Sequence, residues 1–293
     1  MVADMGICRV SAKDRLRAYA ELMRLDRPVG IALLLWPTWM ALWLATRGFP
    51  GWTMLAIFTV GTVLMRSAGC VINDYADRDI DGKVWRTQNR PLAEKRVKPV
   101  EALVLAAVLS LLSAALLVFL PPLSWVVAVA AVVCSALYPW TKRFLPVPQA
   151  FLGITFSLGI LMAWAAVTKS LPWTAWGFWG ANIAWVLAYD TAYAMADRPD
   201  DQALGIHSSA LWLGRWDVTA VYVCTGIFLL GVAGVALVQG VRPVFWLGWS
   251  AAVIWLLVCN WQLHTRNPEL CLKVFRQHHW AGALLWLALL IGF

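Results

Sequence analysis

Charged residues are scarce in this sequence. Only 14% of its 293 residues are Asp, Glu, Lys or Arg, whereas 61% are hydrophobic; soluble domains usually contain roughly 25% charged residues. Long apolar runs alternate with short polar segments, as in proteins whose helices cross a bilayer. This pattern excludes a water-soluble globular fold and predicts an integral membrane protein.

Cysteine and histidine are also few, with six and four copies. The cysteines show no Cys-x-x-Cys spacing, so neither a disulfide framework nor a zinc site is predicted. A cleavable signal peptide is not expected, because residues 1–27 carry charges throughout and lack an apolar core of about 7–15 residues. The net charge of +8 favours loops that lie against anionic membrane lipid. No nucleic-acid or protein partner is predicted.

The apolar runs predict an all-α polytopic membrane protein with nine transmembrane helices. An amphipathic surface helix is expected at 11–26, within a cytoplasmic N-terminal segment of residues 1–27, followed by one transmembrane domain at 28–293. The predicted spans are 28–46, 52–72, 100–120, 123–138, 147–167, 173–189, 218–239, 244–264 and 279–292.

Lysine and arginine placement predicts the orientation. The N-terminal segment and every second loop after it hold 20 of these residues, and the opposite loops hold 3. Basic loops remain on the cytoplasmic side of a membrane. The N-terminus and the polar loops that follow the second and sixth spans are therefore predicted to be cytoplasmic.

Two acidic stretches follow apolar runs and lie more than 100 residues apart: NDYADRDID at 73–81 and DTAYAMADRPDD at 190–201. If each continues as a helix, its oxygen-bearing side chains fall on one face. The residues that share a face are Asn73, Asp77 and Asp81 in the first stretch, and Asp190, Asp197 and Asp201 in the second.

Oxygen-rich faces of this kind favour Mg²⁺, which takes carboxylate and phosphate oxygens as ligands. So many carboxylates cannot all stay ionised in a partly buried cavity unless cations neutralise them. Two Mg²⁺ ions bridged by a diphosphate would do so, with basic side chains on the remaining phosphate oxygens and an apolar interior below for a hydrocarbon tail. The acids predicted to face this cytoplasmic cavity are Asp74, Asp77, Asp81, Asp190, Asp197, Asp200 and Asp201, and the bases are Arg66, Lys83, Arg86, Arg90, Lys142, Arg143 and Arg198.

A lone arginine, Arg66, lies inside the second predicted span. It precedes Asn73 by seven residues, or two helical turns, and so shares the face of that residue. A charge inside a span is costly and rarely faces lipid. Arg66 either extends to the cytoplasmic interface or lines the polar cavity beneath the carboxylates, where it binds an anion or orients an aspartate.

These motifs resemble a known family. NDYADRDIDGKVWRTQNRPLA resembles the NDxxDxxxD signature of the UbiA superfamily of intramembrane aromatic prenyltransferases. YDTAYAMADRPDDQALGIHSSA resembles its second aspartate motif, in the form seen in bacterial 4-hydroxybenzoate polyprenyltransferases. MRLDRPVGIALLLWPTWMALW and LYPWTKR are similar to the same subfamily, so the resemblance extends over nearly the whole chain from Leu22 onward.

The resemblance implies a nine-helix bundle around a central cavity that faces the cytoplasm and opens sideways to membrane lipid, in the bacterial inner membrane. It implies Mg²⁺-dependent transfer of a polyprenyl group from polyprenyl diphosphate to the carbon ortho to the hydroxyl of 4-hydroxybenzoate, a membrane step of ubiquinone biosynthesis. The matched motifs imply metal ligands at Asn73, Asp77, Asp81, Asp197 and Asp201, and catalytic roles for Asp77, Asp81, Asp190, Asp197, Asp201 and Arg143. Together with the basic inventory, they imply substrate or diphosphate contacts from Arg66, Asn73, Asp74, Lys83, Arg86, Arg90, Lys142, Tyr193 and Arg198.

Two roles are assigned within this mechanism. Asp190 is the expected base for the ring proton, and Arg143 or Arg66 is expected to hold the substrate carboxylate. One departure concerns His207, which stands in GIHSSA where the family commonly has lysine. Either His207 makes a weaker or pH-dependent phosphate contact, because histidine is largely neutral near pH 7, or the position only faces solvent.

Other readings stay open at this point. The acceptor could be another aromatic molecule, such as a naphthoate, a porphyrin or homogentisate. A cation-coupled secondary transporter would also use intramembrane acids, although transporters often show inverted repeats with acids at mid-membrane. Here the acids lie at span ends, and nine spans do not divide into two inverted halves. A non-catalytic membrane scaffold would have no use for clustered acids.

Overall fold

The structure, a computed structural model, describes residues 12–82 and 87–293. Within these ranges the chain forms helices and connecting turns, and no β-strand occurs, which confirms the all-α prediction. The α-helices are α1 Ala12–Leu22, α2 Val29–Thr46, α3 Trp52–Asp81, α4 Pro99–Ala115, α5 Pro122–Thr141, α6 Pro148–Thr168, α7 Trp173–Leu204, α8 Ser209–Leu213, α9 Asp217–Gln239, α10 Phe245–Trp261 and α11 Pro268–Gly292.

Proline and glycine mark many of the helix ends. Helices α4, α5, α6 and α11 each begin at a proline, which is favoured in the first turn because its missing N–H has no helical partner there. Helices α7 and α9 end at Gly205 and Gly240, whose φ angles are 65° and 75°. Glycine adopts this left-handed conformation without a steric penalty, and its N–H then caps carbonyls of the last turn.

Seven segments of the described chain are long and apolar enough to cross a membrane. They are α2, α3, α4 with its following turn, α5, α6, α8 together with α9, and α10 with its following turn. The remaining long helices, α7 and α11, correspond to the predicted spans 173–189 and 279–292. Tryptophans and Asn182 make α7 less apolar, and Arg276 and two histidines do the same for α11. The count of nine spans therefore stays a prediction, as does the division into residues 1–27 and 28–293.

Three helices are longer than the apolar runs that predicted them. Helix α3 continues beyond Ile72 to Asp81, and α7 continues beyond Tyr189 to Leu204 with Pro199 inside it. Helix α11 begins at Pro268, ahead of its predicted start. Both acidic stretches therefore lie on helices, as their spacing requires.

The core is centred on α6 and α7, while α4 and α5 lie at the periphery. The largest fully buried side chains include Trp164 of α6 and Phe178, Trp185 and Tyr189 of α7. Helix α7 packs against α6, α9 and α11, and α2 packs against α3, α6 and α11. Only 17% of the apolar stretch of α4, and of α5, is buried inside the protein, whereas 61% of the apolar stretch of α6 is buried. Helices α2, α3, α5, α6, α7 and α11 consequently surround a central space.

Candidate active site

Both acidic stretches line one cavity with a volume of about 1430 Å³. Helix α3 contributes Asp77 and α7 contributes Asp197 to its wall. The helical spacing within each stretch turns the other acids of that stretch toward the same space. The predicted cavity and site residues that line it are Arg66, Asn73, Asp74, Asp77, Asp81, Arg90, Lys142, Arg143, Asp190, Tyr193, Asp197, Asp200 and Asp201. Lys83 and Arg86, which were also predicted to contact the diphosphate, lie outside the described residues.

Asp74 is held between two arginines. Arg24 donates to both carboxylate oxygens of Asp74 at 2.8 Å, and Arg90 approaches the same carboxylate at 3.0 Å. The Asp74 side chain is 1% exposed. Breaking a buried, paired charge of this kind is strongly unfavourable. Through these two ion pairs, Asp74 connects the segment after α1 with the loop after α3. Its predicted contact with substrate stays a prediction.

Arg90 also binds Asp81, with 2.8 Å between Nη1 and Oδ2. Burial lowers the pKa of the Arg90 guanidinium, but the carboxylates of Asp74 and Asp81 outweigh this effect, and the pKa is raised above its ordinary value. Arg90 is therefore charged at any physiological pH. The sequence analysis expected metal ions to neutralise the carboxylates of the cavity. In the structure, basic side chains of the protein neutralise part of that negative charge.

Lys142, at the end of α5, pairs with Asp77 of α3 at 3.2 Å. The segment after α7 supports this lysine, because the backbone N–H of His207 donates to the Lys142 carbonyl at 3.1 Å. The next turn is fixed by Gln149, whose side-chain oxygen accepts from the backbone N–H of Ser209 at 2.8 Å. The His207 side chain itself is exposed at the cavity rim. The GIHSSA segment thus positions Lys142 through its backbone.

Arg66 lines the cavity, as its offset from Asn73 predicted. Its guanidinium lies over the ring of Phe156, 5.3 Å from the centroid, in a cation–π contact. Its Nε is buried and has no hydrogen-bond partner among the described residues. A buried guanidinium nitrogen without a partner carries a desolvation penalty that an anionic ligand would relieve.

Two further buried polar atoms of cavity-lining residues have no partner in the described part of the chain: Asn73 Oδ1 and the Tyr189 hydroxyl. The Asn73 oxygen is an available hard donor beside the acids of α3 and α7. A site built from amide and carboxylate oxygens fits Mg²⁺ and disfavours metals that prefer sulfur or nitrogen. Within 12–82 and 87–293, no three His, Cys, Asp or Glu side chains are arranged closely enough to hold a metal. The five predicted metal ligands therefore stay a prediction.

Arg198 differs from its prediction as a diphosphate contact. It does not line the cavity, and it binds Asp217 at 2.5 Å and the carbonyl of Ala210 at 2.8 Å. Asp217 is fully buried and also receives Arg266 at 2.9 Å. The guanidinium is committed to this carboxylate, because a buried charge requires a partner. Arg198 thus fastens α7 to the start of α9, and its predicted contact with the diphosphate stays a prediction.

The sequence reasoning missed three contributors. Arg24 binds Asp74 from a left-handed backbone turn with a φ of 58°, and no sequence signal indicated that turn. Tyr189 immediately precedes Asp190, and this adjacency to a predicted site residue was an available signal. Phe156 lies within an ordinary apolar run, and only its contact with Arg66 marks it.

Comparisons with known proteins identify the family to which the sequence is similar. The profile of the UbiA prenyltransferase family matches residues 34–288. A protein of Neisseria gonorrhoeae (strain NCCP11945) named 4-hydroxybenzoate octaprenyltransferase is 50% identical over 278 residues, which cover 94% of this chain and 93% of that protein. A protein of the same name from Paraburkholderia phytofirmans is 47% identical over 275 residues, covering 94% and 96% of the two chains.

Solved structures share the fold at low sequence identity. The apo structure of a UbiA homolog from Aeropyrum pernix K1 matches with a TM-score of 0.78 and 20% identity, covering 89% of this chain and 97% of that one. A UbiA homolog from Archaeoglobus fulgidus, bound to GPP and Mg²⁺, matches with a TM-score of 0.70 and 16% identity, covering 94% and 100%.

Proposed function

The chain belongs to the UbiA prenyltransferase family, and from this premise we propose that it transfers a polyprenyl group from a polyprenyl diphosphate to 4-hydroxybenzoate. The bond forms at the ring carbon ortho to the hydroxyl, in a membrane step of ubiquinone biosynthesis. Two relatives that are 47–50% identical over nearly the whole chain are named 4-hydroxybenzoate octaprenyltransferase. We place the enzyme in the bacterial inner membrane with the cavity mouth toward the cytoplasm, as the distribution of lysine and arginine predicts.

The observation that carries the proposal is the meeting of Asp77 and Asp197 in one cavity. These residues lie more than 100 positions apart on different helices. A transporter that binds one cation would need neither two acidic helices nor the basic residues between them. A diphosphate needs both, because its charge requires metal ions and its outer oxygens require donors such as Lys142 and Arg90.

Mg²⁺ is the proposed cofactor, held by Asn73, Asp77, Asp81, Asp197 and Asp201. When bound, it would neutralise the negative charge that develops on the departing diphosphate. The unpartnered Asn73 Oδ1 supports this set, and the Archaeoglobus fulgidus homolog was solved with GPP and Mg²⁺. Asp77 and Asp81 pair with Lys142 and Arg90 in the structure. In the loaded enzyme these two basic side chains would turn to phosphate oxygens, together with Arg143 and Tyr193.

We assign the acceptor carboxylate to Arg66. Its Nε is buried and unpartnered, and its guanidinium lies over the ring of Phe156 within the cavity wall. Arginine binds a carboxylate through two parallel N–H donors, which fixes orientation as well as position. Arg143 was the alternative, but it is exposed at the cavity mouth, where the diphosphate is expected.

The reaction breaks the bond between C1 of the prenyl group and the diphosphate oxygen, which leaves with the electron pair. A bond forms between C1 and the ring carbon ortho to the hydroxyl, and that carbon then loses its proton. Asp190, which lines the cavity on α7, is the proposed base. Phe156, Tyr138 and Met162 line the same cavity and would help to keep water from the cationic carbon.

Prenylation of 4-hydroxybenzoate by the purified protein tests the proposal. Activity should require Mg²⁺, should be lost on chelation and should return when Mg²⁺ is added. Asp77→Ala and Asp197→Ala should each lower kcat by at least about a hundredfold, the size of effect expected when charge stabilisation in a transition state is removed. Full activity without metal, or in both variants, would refute the mechanism. A panel including a naphthoate and homogentisate would reveal a different acceptor.

A further inference from the structure

Three buried polar atoms of the cavity wall have no hydrogen-bond partner within residues 12–82 and 87–293: Arg66 Nε, Asn73 Oδ1 and the Tyr189 hydroxyl. The proposed function uses the first atom for the acceptor carboxylate and the second for Mg²⁺. The Tyr189 hydroxyl has no role in that scheme. A buried hydroxyl without a partner carries a desolvation penalty, which a ligand with a hydrogen-bonding group would relieve.

Aromatic neighbours fix the ring of Tyr189 and hold its hydroxyl in one place. Tyr189 is 1% exposed. Trp185 and Phe275 contact its ring edge to face, with centroid distances of 5.6 and 5.9 Å. Trp185 is itself held by a hydrogen bond of 3.1 Å to His278. A side chain packed in this way is preorganised, so little further freedom is lost when a ligand binds it.

The polar groups around the Tyr189 hydroxyl belong to the cavity. Asp190 of α7, Arg66 of α3 and Tyr138 of α5 are close enough to act on this hydroxyl electrostatically. All three residues line the cavity. The hydroxyl therefore faces the same space as the guanidinium assigned to the acceptor carboxylate. A small ligand with an anionic end and a hydrogen-bonding end has a partner here for each of them.

4-Hydroxybenzoate carries this pair of groups, one at each end of its ring. Its carboxylate accepts hydrogen bonds from an arginine, and its hydroxyl both donates and accepts, as does the hydroxyl of a tyrosine. The reacting carbon is bonded to the carbon that carries the hydroxyl. A hydroxyl held at Tyr189 would therefore keep the reacting carbon near Asp190, the adjacent residue and the proposed base.

Resting on the proposed function, we propose that Tyr189 binds the hydroxyl of 4-hydroxybenzoate and thereby determines acceptor specificity. Arg66 and Tyr189 then hold opposite ends of one ring. Benzoate, which lacks the hydroxyl, keeps the contact with Arg66 and leaves Tyr189 unpaired. Sites built to hydrogen-bond a substrate hydroxyl discriminate strongly against analogues that lack it, because the buried polar group of the protein is then left without a partner.

The test is Tyr189→Phe in the full-length enzyme, with geranyl diphosphate as donor. This change removes one oxygen and keeps the ring among its aromatic neighbours. The kcat/KM for 4-hydroxybenzoate should fall about tenfold, a loss near the upper end of what one hydrogen bond contributes, and the KM for the donor should stay within about twofold of wild type. Benzoate, used as a competitive inhibitor, should bind wild type and variant equally well. Tyr222→Phe, on α9 and away from the cavity lining, is the matched control and should change none of these constants.

Thermal unfolding separates a substrate contact from a structural role. Because the Tyr189 hydroxyl has no partner in the described part of the chain, Tyr189→Phe should unfold at the wild-type temperature or above it. A lower unfolding temperature, or a variant that does not fold, would show that the hydroxyl supports the fold and would overturn the proposal.

The kinetic outcomes separate this proposal from the proposed function. An unchanged kcat/KM for 4-hydroxybenzoate in Tyr189→Phe, or an equal loss of affinity for benzoate, would overturn the assignment of Tyr189. A higher donor KM with unchanged acceptor kinetics would do the same and would place the hydroxyl against the diphosphate. A wild-type enzyme that does not prenylate 4-hydroxybenzoate would overturn the proposed function itself.

Discussion

The guanidinium of Arg66 lies directly against the backbone of Gly30. A β-carbon at position 30 would lie 2.7 Å from Nη2 and 2.9 Å from Nε of Arg66, closer than such atoms approach in proteins. Glycine on α2 thus provides the space in which the arginine of α3 extends over Phe156. The position of the Arg66 guanidinium on α3 therefore depends on the absence of a β-carbon at Gly30 of α2.

Gly30→Ala should displace Arg66 without unfolding the protein, because the clashing atoms are the far end of a flexible side chain. With the carboxylate of 4-hydroxybenzoate held by Arg66, kcat/KM for this acceptor should fall about ten- to a hundredfold, since misplacement by about 1 Å is enough for such a loss. The KM for the prenyl donor should stay near its wild-type value. Steady-state kinetics with each substrate varied in turn provide the measurement. Gly234→Ala, at a helical glycine with nothing near its β-carbon, is the matched control, and equal kinetics in both variants would contradict the role of Arg66.

Asp74→Ala should destabilise the protein by about 3 kcal/mol, the lower end of the range for breaking a buried ion pair. The change leaves Arg24 and Arg90 without the carboxylate that both of them bind. Thermal unfolding in detergent is the measurement. Asp79→Ala is the control from the same helix, because the Asp79 side chain is 82% exposed and its pairing with Arg78 is superficial. Similar unfolding temperatures for the two variants would argue against the Arg24–Asp74–Arg90 clamp.

Arg198→Ala should reduce stability and leave donor binding intact. The loss of one of the two arginines around the buried Asp217 should lower the free energy of unfolding by about 1–3 kcal/mol. The KM for polyprenyl diphosphate should stay within about twofold of wild type, because Arg198 does not line the cavity. Unfolding and kinetic measurements on the same preparation decide the matter, with Arg215→Ala as an exposed arginine control. A large increase in donor KM at unchanged stability would restore the role in diphosphate binding that the sequence predicted.

His278→Ala should disrupt a buried chain of hydrogen bonds that connects α7, α11, α10 and α9. The Trp185 N–H donates to His278 Nδ1 at 3.1 Å, so His278 must donate from Nε2 to Asn260 Oδ1 at 3.0 Å. Asn260 in turn donates to Thr225 at 3.3 Å. Truncation leaves the Trp185 indole N–H and the Asn260 Oδ1 without partners in the core, which costs about 1–3 kcal/mol for each group.

The measurement for His278→Ala is again thermal unfolding, with the exposed His264→Ala as control. The network should respond as a unit, so adding Asn260→Ala to His278→Ala should cost less than the sum of the single changes. Additive effects would show that the two side chains act independently.

The sequence predicted much of the site because helical periodicity is local. Asn73, Asp77 and Asp81 share a face at any place where the chain is helical, and α3 continues through all three. The same reasoning placed Arg66 on the face of Asn73. The sequence predicted the helix ends less well. Helix α7 runs through Pro199 to Leu204, and α11 starts at Pro268 among polar residues. Packing against neighbouring helices stabilises these turns, although their own composition does not predict them.

Composition and spacing alone determined that this chain is helical, that it lies in a membrane and that acidic faces follow two of its apolar runs. Those properties depend on residues a few positions apart, whose relationship is fixed by the helix itself. Only the tertiary structure decided which charges meet: Arg24 with Asp74, Lys142 with Asp77, and Arg198 with Asp217 rather than with the cavity. Long basic side chains can reach several carboxylates, and the choice among them depends on how helices distant in sequence pack together.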